Sequence, residues 1–206
     1  IIQVLCNPHA KAFYVRKSTQ QGSEWDLWQK TEGYTEMDGS CLVALSHSGS
    51  VYCLVHVAVM GDQVMWRTSS DTIVWSKWAN IPGARSNCMV SMVLWQSKAW
   101  VYFVHTNKKF CYTYTDNGET WSKVEEIKTG PPVGTITDTK KLVLQCSHYP
   151  QGLIMTIVFG DRVYVSPSLD GKTFNTWNAG SGQETNRPVE TRAFQGIVYQ
   201  ARVGFD

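Results

Sequence analysis

Four short stretches, each closing on an aromatic residue, recur along this chain at a nearly constant interval. They are Ser18-Thr-Gln-Gln-Gly-Ser-Glu-Trp25, Ser69-Ser-Asp-Thr-Ile-Val-Trp75, Tyr114-Thr-Asp-Asn-Gly-Glu-Thr-Trp121 and Ser168-Leu-Asp-Gly-Lys-Thr-Phe174. The closing aromatics stand 50, 46 and 53 residues apart. Three residues beyond each lies a further apolar side chain: Trp28, Trp78, Val124 and Trp177. A period of this size marks one supersecondary unit per repeat, which buries its apolar faces only by stacking on its neighbours. Asn117-Gly118 and Asp170-Gly171 are residue pairs that tolerate the positive φ of a tight turn.

The segments between these turns read as strands. The second unit runs "CLVALSH", "SVYCLVHVAV", "QVMWRTSS", "WSKWANI", and the third and fourth units repeat the scheme. No stretch carries helical periodicity. Four short antiparallel strands per unit is the blade of a β-propeller. The expected fold is therefore all-β, one domain over residues 1–206, with four blades favoured over five. Residues 1–30 supply only later strands ("IIQVLC", "AFYVRKS", "WDLWQK"), and "IVYQARVGF" near the C-terminus is expected to supply the missing inner strand. Pairing the terminal strands would close the ring and remove an exposed edge.

Charge and composition narrow the function classes. A net charge of +2 without runs of either sign argues against a nucleic-acid partner. The longest apolar run, "VYCLVHVAVM", is too short to insert in a membrane as a helix. No signal-peptide pattern is visible. The six cysteines contain no CxxC pair, and the histidines lack zinc-ligand spacing, so no metal and no cofactor are expected. An even cysteine count permits disulfides, at least two being expected, and hence an extracellular or cell-surface location; six buried thiols is the alternative.

The recurring turns resemble the Asp-box of sialidases and other bacterial-neuraminidase-repeat propellers, whose pattern is Ser/Thr-x-Asp-x-Gly-x-Thr-Trp. Asp116, Gly118, Thr120 and Trp121 carry the match in the third unit, with Tyr114 at the Ser/Thr place. Ser168, Asp170, Gly171, Thr173 and Phe174 fit a shortened form, Asp71 and Trp75 keep the ends, and Gln20 replaces the Asp in the first. The resemblance implies a folding device in which the carboxylate accepts hydrogen bonds from its own turn. It also implies that a ligand binds the opposite face.

A sialidase would need three arginines on a carboxylate, a Tyr activated by a Glu, and an acidic proton donor. The arginine trio is not legible, and no catalytic residue is assigned. The opposite face is expected to gather Tyr34, Asp38, Arg85 and Arg187 on long loops after the outer strands, the one with Arg85 spanning 82–87, and Asp62, His105, Asp161 and Arg162 on the connections between second and third strands, where mixed polar groups suit sugar hydroxyls or a peptide. The expected function is a non-catalytic module for a glycan or glycoprotein surface. A protein-interaction, adhesin or receptor domain and a degenerate or active sialidase-type hydrolase remain alternatives.

Overall fold

The structure, a computed structural model, describes residues 2–7, 12–18, 22–33, 39–47, 51–131, 142–159, 162–184, 190–194 and 197–201. The chain is all-β. Among the described residues no helix is long and apolar enough to cross a membrane.

Three four-stranded antiparallel sheets form the middle. The first holds β4 (Gly39–His47), β5 (Val51–Met60), β6 (Gln63–Ser69) and β7 (Ala79–Arg85) in sequence order. The next holds β8 (Ser91–Trp95), β9 (Lys98–Val104), β10 (Phe110–Thr115) and the two-residue β11 (Glu125–Glu126). The last holds β12 (Leu142–Tyr149), β13 (Gly152–Phe159), β14 (Arg162–Ser168) and β15 (Asn178–Glu184). Before them stand three strands, β1 (Ile2–Asn7), β2 (Ala12–Lys17) and β3 (Gln29–Gly33), and after them a hairpin, β16 (Glu190–Phe194) and β17 (Ile197–Ala201). The leading strands of successive sheets touch: β4 with β8, β8 with β12, β12 with β16.

Burial explains why the second strand of each unit reads as an unbroken apolar run. Successive side chains on a strand point to opposite faces. On β9, Trp100, Tyr102 and Val104 join a core with Leu142, Leu144, Met155 and Ile157 of the following sheet. Ala99, Val101 and Phe103 join Val55, Val57 and Val59 of the preceding sheet. A strand covered on both faces has no polar side, so alternation disappears. Each large buried side chain contributes roughly 1.5–3 kcal/mol by leaving water.

The recurring turn joins the third and fourth strands, and its hydrogen bonds fix its register. In the fourth unit Asp170 Oδ1 accepts from the N–H groups of Lys172 (2.8 Å) and Thr173 (2.7 Å), and Ser168 Oγ accepts from Gly171 N–H at 2.9 Å. Asp71 and Ser69 do the same in the second unit, toward Ile73, Val74 and Thr72. In the third unit the oxygen is supplied by Asn117, not by Asp116. Asn117 Oδ1 accepts from Glu119 N–H and Thr120 N–H at 2.9 Å each, and Thr115 Oγ accepts from Gly118 N–H at 2.9 Å. The alignment through Tyr114 and Asp116 is thus corrected by one residue. The residue after the capping side chain has positive φ, as at Thr72 (73°), Gly118 (76°) and Gly171 (70°), and that geometry decides which acidic or amide side chain caps.

The closing aromatics occupy matching places in the turns. Trp25 and Trp75 donate their indole N–H to the carbonyls of Gly22 (2.9 Å) and Thr72 (3.0 Å), Phe174 is fully buried, and Trp121 leans on Trp66 with ring centres 6.0 Å apart. The fourth strand begins four residues past each aromatic, later than "WDLWQK" or "WSKWANI" imply, at Gln29, Ala79, Glu125 and Asn178. The second and third units share one reason. Ser76 N–H and Ser122 N–H bond back to Thr68 and Tyr114 carbonyls at 2.8 Å, which holds the chain clear of the ladder until the turn is complete.

Two further expectations are corrected. Among the described residues β1 pairs only with β2 and β17 only with β16, and the expected sheet joining the two terminal strands is not found. The C-terminal segment forms its own hairpin, with Glu190–Phe194 in the leading place beside β12 and "IVYQA" in the second. Disulfides also fail in number: Cys53, Cys88, Cys111 and Cys146 are free thiols, which leaves at most one pair among the six.

Candidate functional site

The end of the strands opposite the recurring turns brings together Asp62, Arg85 and His105. Asp62 lies in the β5–β6 turn, where Gly61 takes a φ of 63°. Arg85 is the last residue of β7 and pairs with Gln63. The expected loop at 82–87 is therefore largely strand. Pro82 and Gly83 fit an outer edge strand because the ladder bulges there, between Gln63 and Met65, and Gly83 has a φ of 75°.

Main-chain bonds stitch the three segments. Ser86 N–H donates to the Asp62 carbonyl at 3.0 Å, Thr106 N–H donates to the Arg85 carbonyl at 3.1 Å, and Ser86 bridges His105. His105 and Lys109 close their own turn, with His105 N–H on the Lys109 carbonyl at 2.8 Å. On this frame Arg85 Nη2 pairs with Asp62 Oδ2. The Arg85 hydrogen bond is the main influence that draws the Asp62 carboxyl below its ordinary pKa. Both side chains are half exposed, so the pair adds little stability. The His105 Nδ1 accepts from Asn107 N–H at 3.1 Å, which puts the ring proton on Nε2.

A groove of about 340 Å³ adjoins this frame, between Pro82–Gly83 and residues 123–126, and is lined also by His105, Asn107, Lys109 and Cys111. Lys109 Nζ stands 2.6 Å from Glu126 Oε2 across it, both exposed. Burial, with Glu126 second, pushes the Cys111 thiol up to about 11, so it stays protonated at neutral pH. The groove offers one imidazole donor, one amide and paired charges of both signs. It can hold a polar ligand by hydrogen bonds.

Of the other expected site residues, Arg162 is exposed at the start of β14, opposite Phe159, in a different sheet. Tyr34, Asp38, Asp161 and Arg187 lie outside the described residues. Lys109 and Glu126 were missed by sequence reading. An antiparallel pairing of "KFCY" with "VEEI" would have set them near one another.

The chemistry of hydrolysis finds one tempting pair. Tyr112 donates to Glu125 Oε2 at 2.5 Å. The phenol is buried, and burial first and Glu125 second push its pKa well up. Three of the described arginines are engaged separately. Arg16 stacks between Trp25 and Trp28 at 4.6 and 4.5 Å, Arg67 between Trp75 and Trp78 at 4.6 Å each, and Arg85 is held by Asp62. Among the described residues no cluster of three or more His, Cys, Asp or Glu is placed to hold a metal ion.

No protein-family model matches the chain, and no curated protein matches it. Solved structures do. The fold is sialidase-like. A mutant of the NanB sialidase from Streptococcus pneumoniae superposes with a TM-score of 0.58 at 16% identity. NanB with Optactamide gives 0.56, and the S. pneumoniae enzyme with 2-[(3-chlorobenzyl)ammonio]ethanesulfonate gives 0.57, each also at 16% identity. All three cover 88% of this chain, and the chain spans 30% of each. At that identity the sialidase-like description concerns the path of the backbone. It agrees with the succession of touching leading strands and bears on no catalytic step.

Proposed function

We propose that the chain is a non-catalytic binding module on a sialidase-like propeller, and that it takes a glycan or glycoprotein surface at the strand ends carrying Asp62, Arg85 and His105. One observation carries this reading. Three separate segments, carrying Asp62, Arg85 and His105, are locked to each other by main-chain bonds there, and the segment with His105 lines the open groove that adjoins them. Rigid polar groups around a concavity lower the ordering cost of binding. The non-catalytic part rests on the buried Tyr112 and on the engagement of Arg16, Arg67 and Arg85 elsewhere. The recurring turns are read as Asp-boxes that serve as folding devices, and an extracellular location follows from the ligand class rather than from disulfides.

A glycan array tests the reading, repeated with Arg85→Ala and His105→Ala. Binding of a defined glycan class that either variant weakens without lowering Tm supports it. Cleavage of a fluorogenic sialoside, or glycan binding indifferent to both variants, defeats it.

A further inference from the structure

We propose a second ligand site, for a neutral hexose, in a groove beside the recurring turn of the last four-stranded sheet. It lies at the opposite end of the strands from Arg85 and stands independently of the site there. The groove measures about 580 Å³, within the roughly 300–1,000 Å³ span of small-molecule sites. Tyr149, Pro167 and Leu169 give it apolar surface, and Thr173, Asn175 and Thr176 give it hydroxyls and an amide. A hexose matches that division, with one face of C–H bonds and a rim of hydroxyls.

Two features separate this turn from its sisters. Leu169 stands where the other turns carry Ser70 and Asp116, and it is 71% exposed. Tyr149, the last residue of its leading strand, is only partly buried, whereas Trp95 at the same place in the preceding sheet is buried in the core. Both of these apolar side chains thus fall on the lining of one groove. The polar side is fixed in advance. Thr129 Oγ1 donates to Asn175 Oδ1 at 3.0 Å, which leaves the amide Nδ2 to donate outward.

Charge selects the ligand class. The lining holds no Lys or Arg, and its one carboxylate is committed to the turn. Asp170 Oδ1 accepts from two backbone N–H groups and from Ser168 Oγ (3.1 Å), and Oδ2 accepts from Thr173 Oγ1 (2.9 Å). An anionic sugar would meet that carboxylate with no compensating cation, so the site favours an uncharged ring.

The test titrates the protein with methyl α-glucoside, methyl α-mannoside and methyl β-galactoside, followed by saturation-transfer NMR and calorimetry. Methyl glucuronoside is the charged twin. At least one neutral glycoside should bind, and Tyr149→Ala and Leu169→Ala should each weaken it by about tenfold or more at unchanged Tm. Asn175→Ala, at an exposed position, is the variant to rely on if Tyr149→Ala lowers Tm, and it too should weaken binding. Arg85→Ala should leave this affinity unchanged. No binding of any of the three at millimolar concentration overturns the proposal, as does binding that survives the groove variants or is lost in Arg85→Ala. Equal binding of the glucuronoside overturns the assignment to a neutral ligand.

Discussion

The Tyr102 hydroxyl donates to the Gly171 carbonyl across 2.8 Å, and the two residues belong to different sheets. Tyr102 is fully buried on β9, and its ring meets Phe174 edge to face at 5.9 Å. The turn of one unit therefore docks on the sheet before it. Gly118 repeats the arrangement one unit earlier: a Cβ there would lie 2.7 Å from Cys53 Sγ and 3.3 Å from Val55. The recurring turns serve as clasps between neighbours as well as local caps.

Tyr102→Phe should cost about 1–2 kcal/mol, because it leaves a buried carbonyl without its donor. Gly171→Ala should cost more. It combines a positive φ with a Cβ placed 3.0 Å from Trp95 and 3.1 Å from the Tyr102 hydroxyl, and overpacking of that kind costs roughly 1–3 kcal/mol before the backbone penalty. Urea unfolding of both variants measures the difference. A Gly171→Ala protein as stable as the parent would show that the turn does not dock.

The third turn separates its two neighbouring polar residues. Asn117→Ala removes the acceptor of two N–H groups and should lower stability by about 1 kcal/mol, with Asn117→Asp close to neutral. Asp116→Ala should fall within about 0.5 kcal/mol of the parent, as exposed substitutions usually do. Chemical denaturation of the three variants decides; the reverse order would restore the register through Asp116.

Much of the fold was legible because the turn pattern and the apolar runs agree on one unit. The register of the third turn was not. Asp116 and Asn117 are adjacent, both cap turns, and only the φ of Gly118 distinguishes them. The meeting of Asp62, Arg85 and His105 was legible because each stands at a strand end on the same side of the sheets. The site was obscured where an outer strand is irregular: Pro82 and Gly83 read as loop, but a bulge admits them to β7. Lys109 and Glu126 were hidden because β11 is only two residues long, too short to show a strand pattern. The C-terminal hairpin was read as a single closing strand because "ETRAF" has little apolar character of its own.

Thiol chemistry follows from burial. Under denaturing alkylation with no reductant, Cys53, Cys88, Cys111 and Cys146 should all label. In the native protein Cys53, only half buried, should react first, and slowly, since burial raises its pKa. Cys146, pushed up strongly by complete burial, should react only through unfolding. Peptide mass mapping reads the order. A disulfide found at any of these four positions would contradict the packing around it.

Acid stability tests the buried histidine. His56 has no exposed surface, receives a bond from Arg67 Nε at 3.2 Å on its Nδ1, and faces Trp75 and Trp78 at 5.5 and 5.0 Å. Burial first, and the Arg67 charge second, lower its pKa from 6.5 to about 3. The folded protein thus refuses a proton that the unfolded chain accepts. A depressed pKa of this kind gives stability that is whole above pH 6.5 and is lost as pH falls toward 3, at most on the order of 5 kcal/mol by the lower limit. Carboxylates titrate over the same range, so the wild-type curve alone does not isolate His56. The informative quantity is the difference between the parent and His56→Gln, which keeps polar atoms beside Arg67 but does not titrate. That difference should shrink as pH falls from 6.5 to 4, with the parent losing its advantage or falling below the variant. A difference that stays constant over this range would mean that His56 is protonated in the fold, and that the pairing with Arg67 as described is wrong.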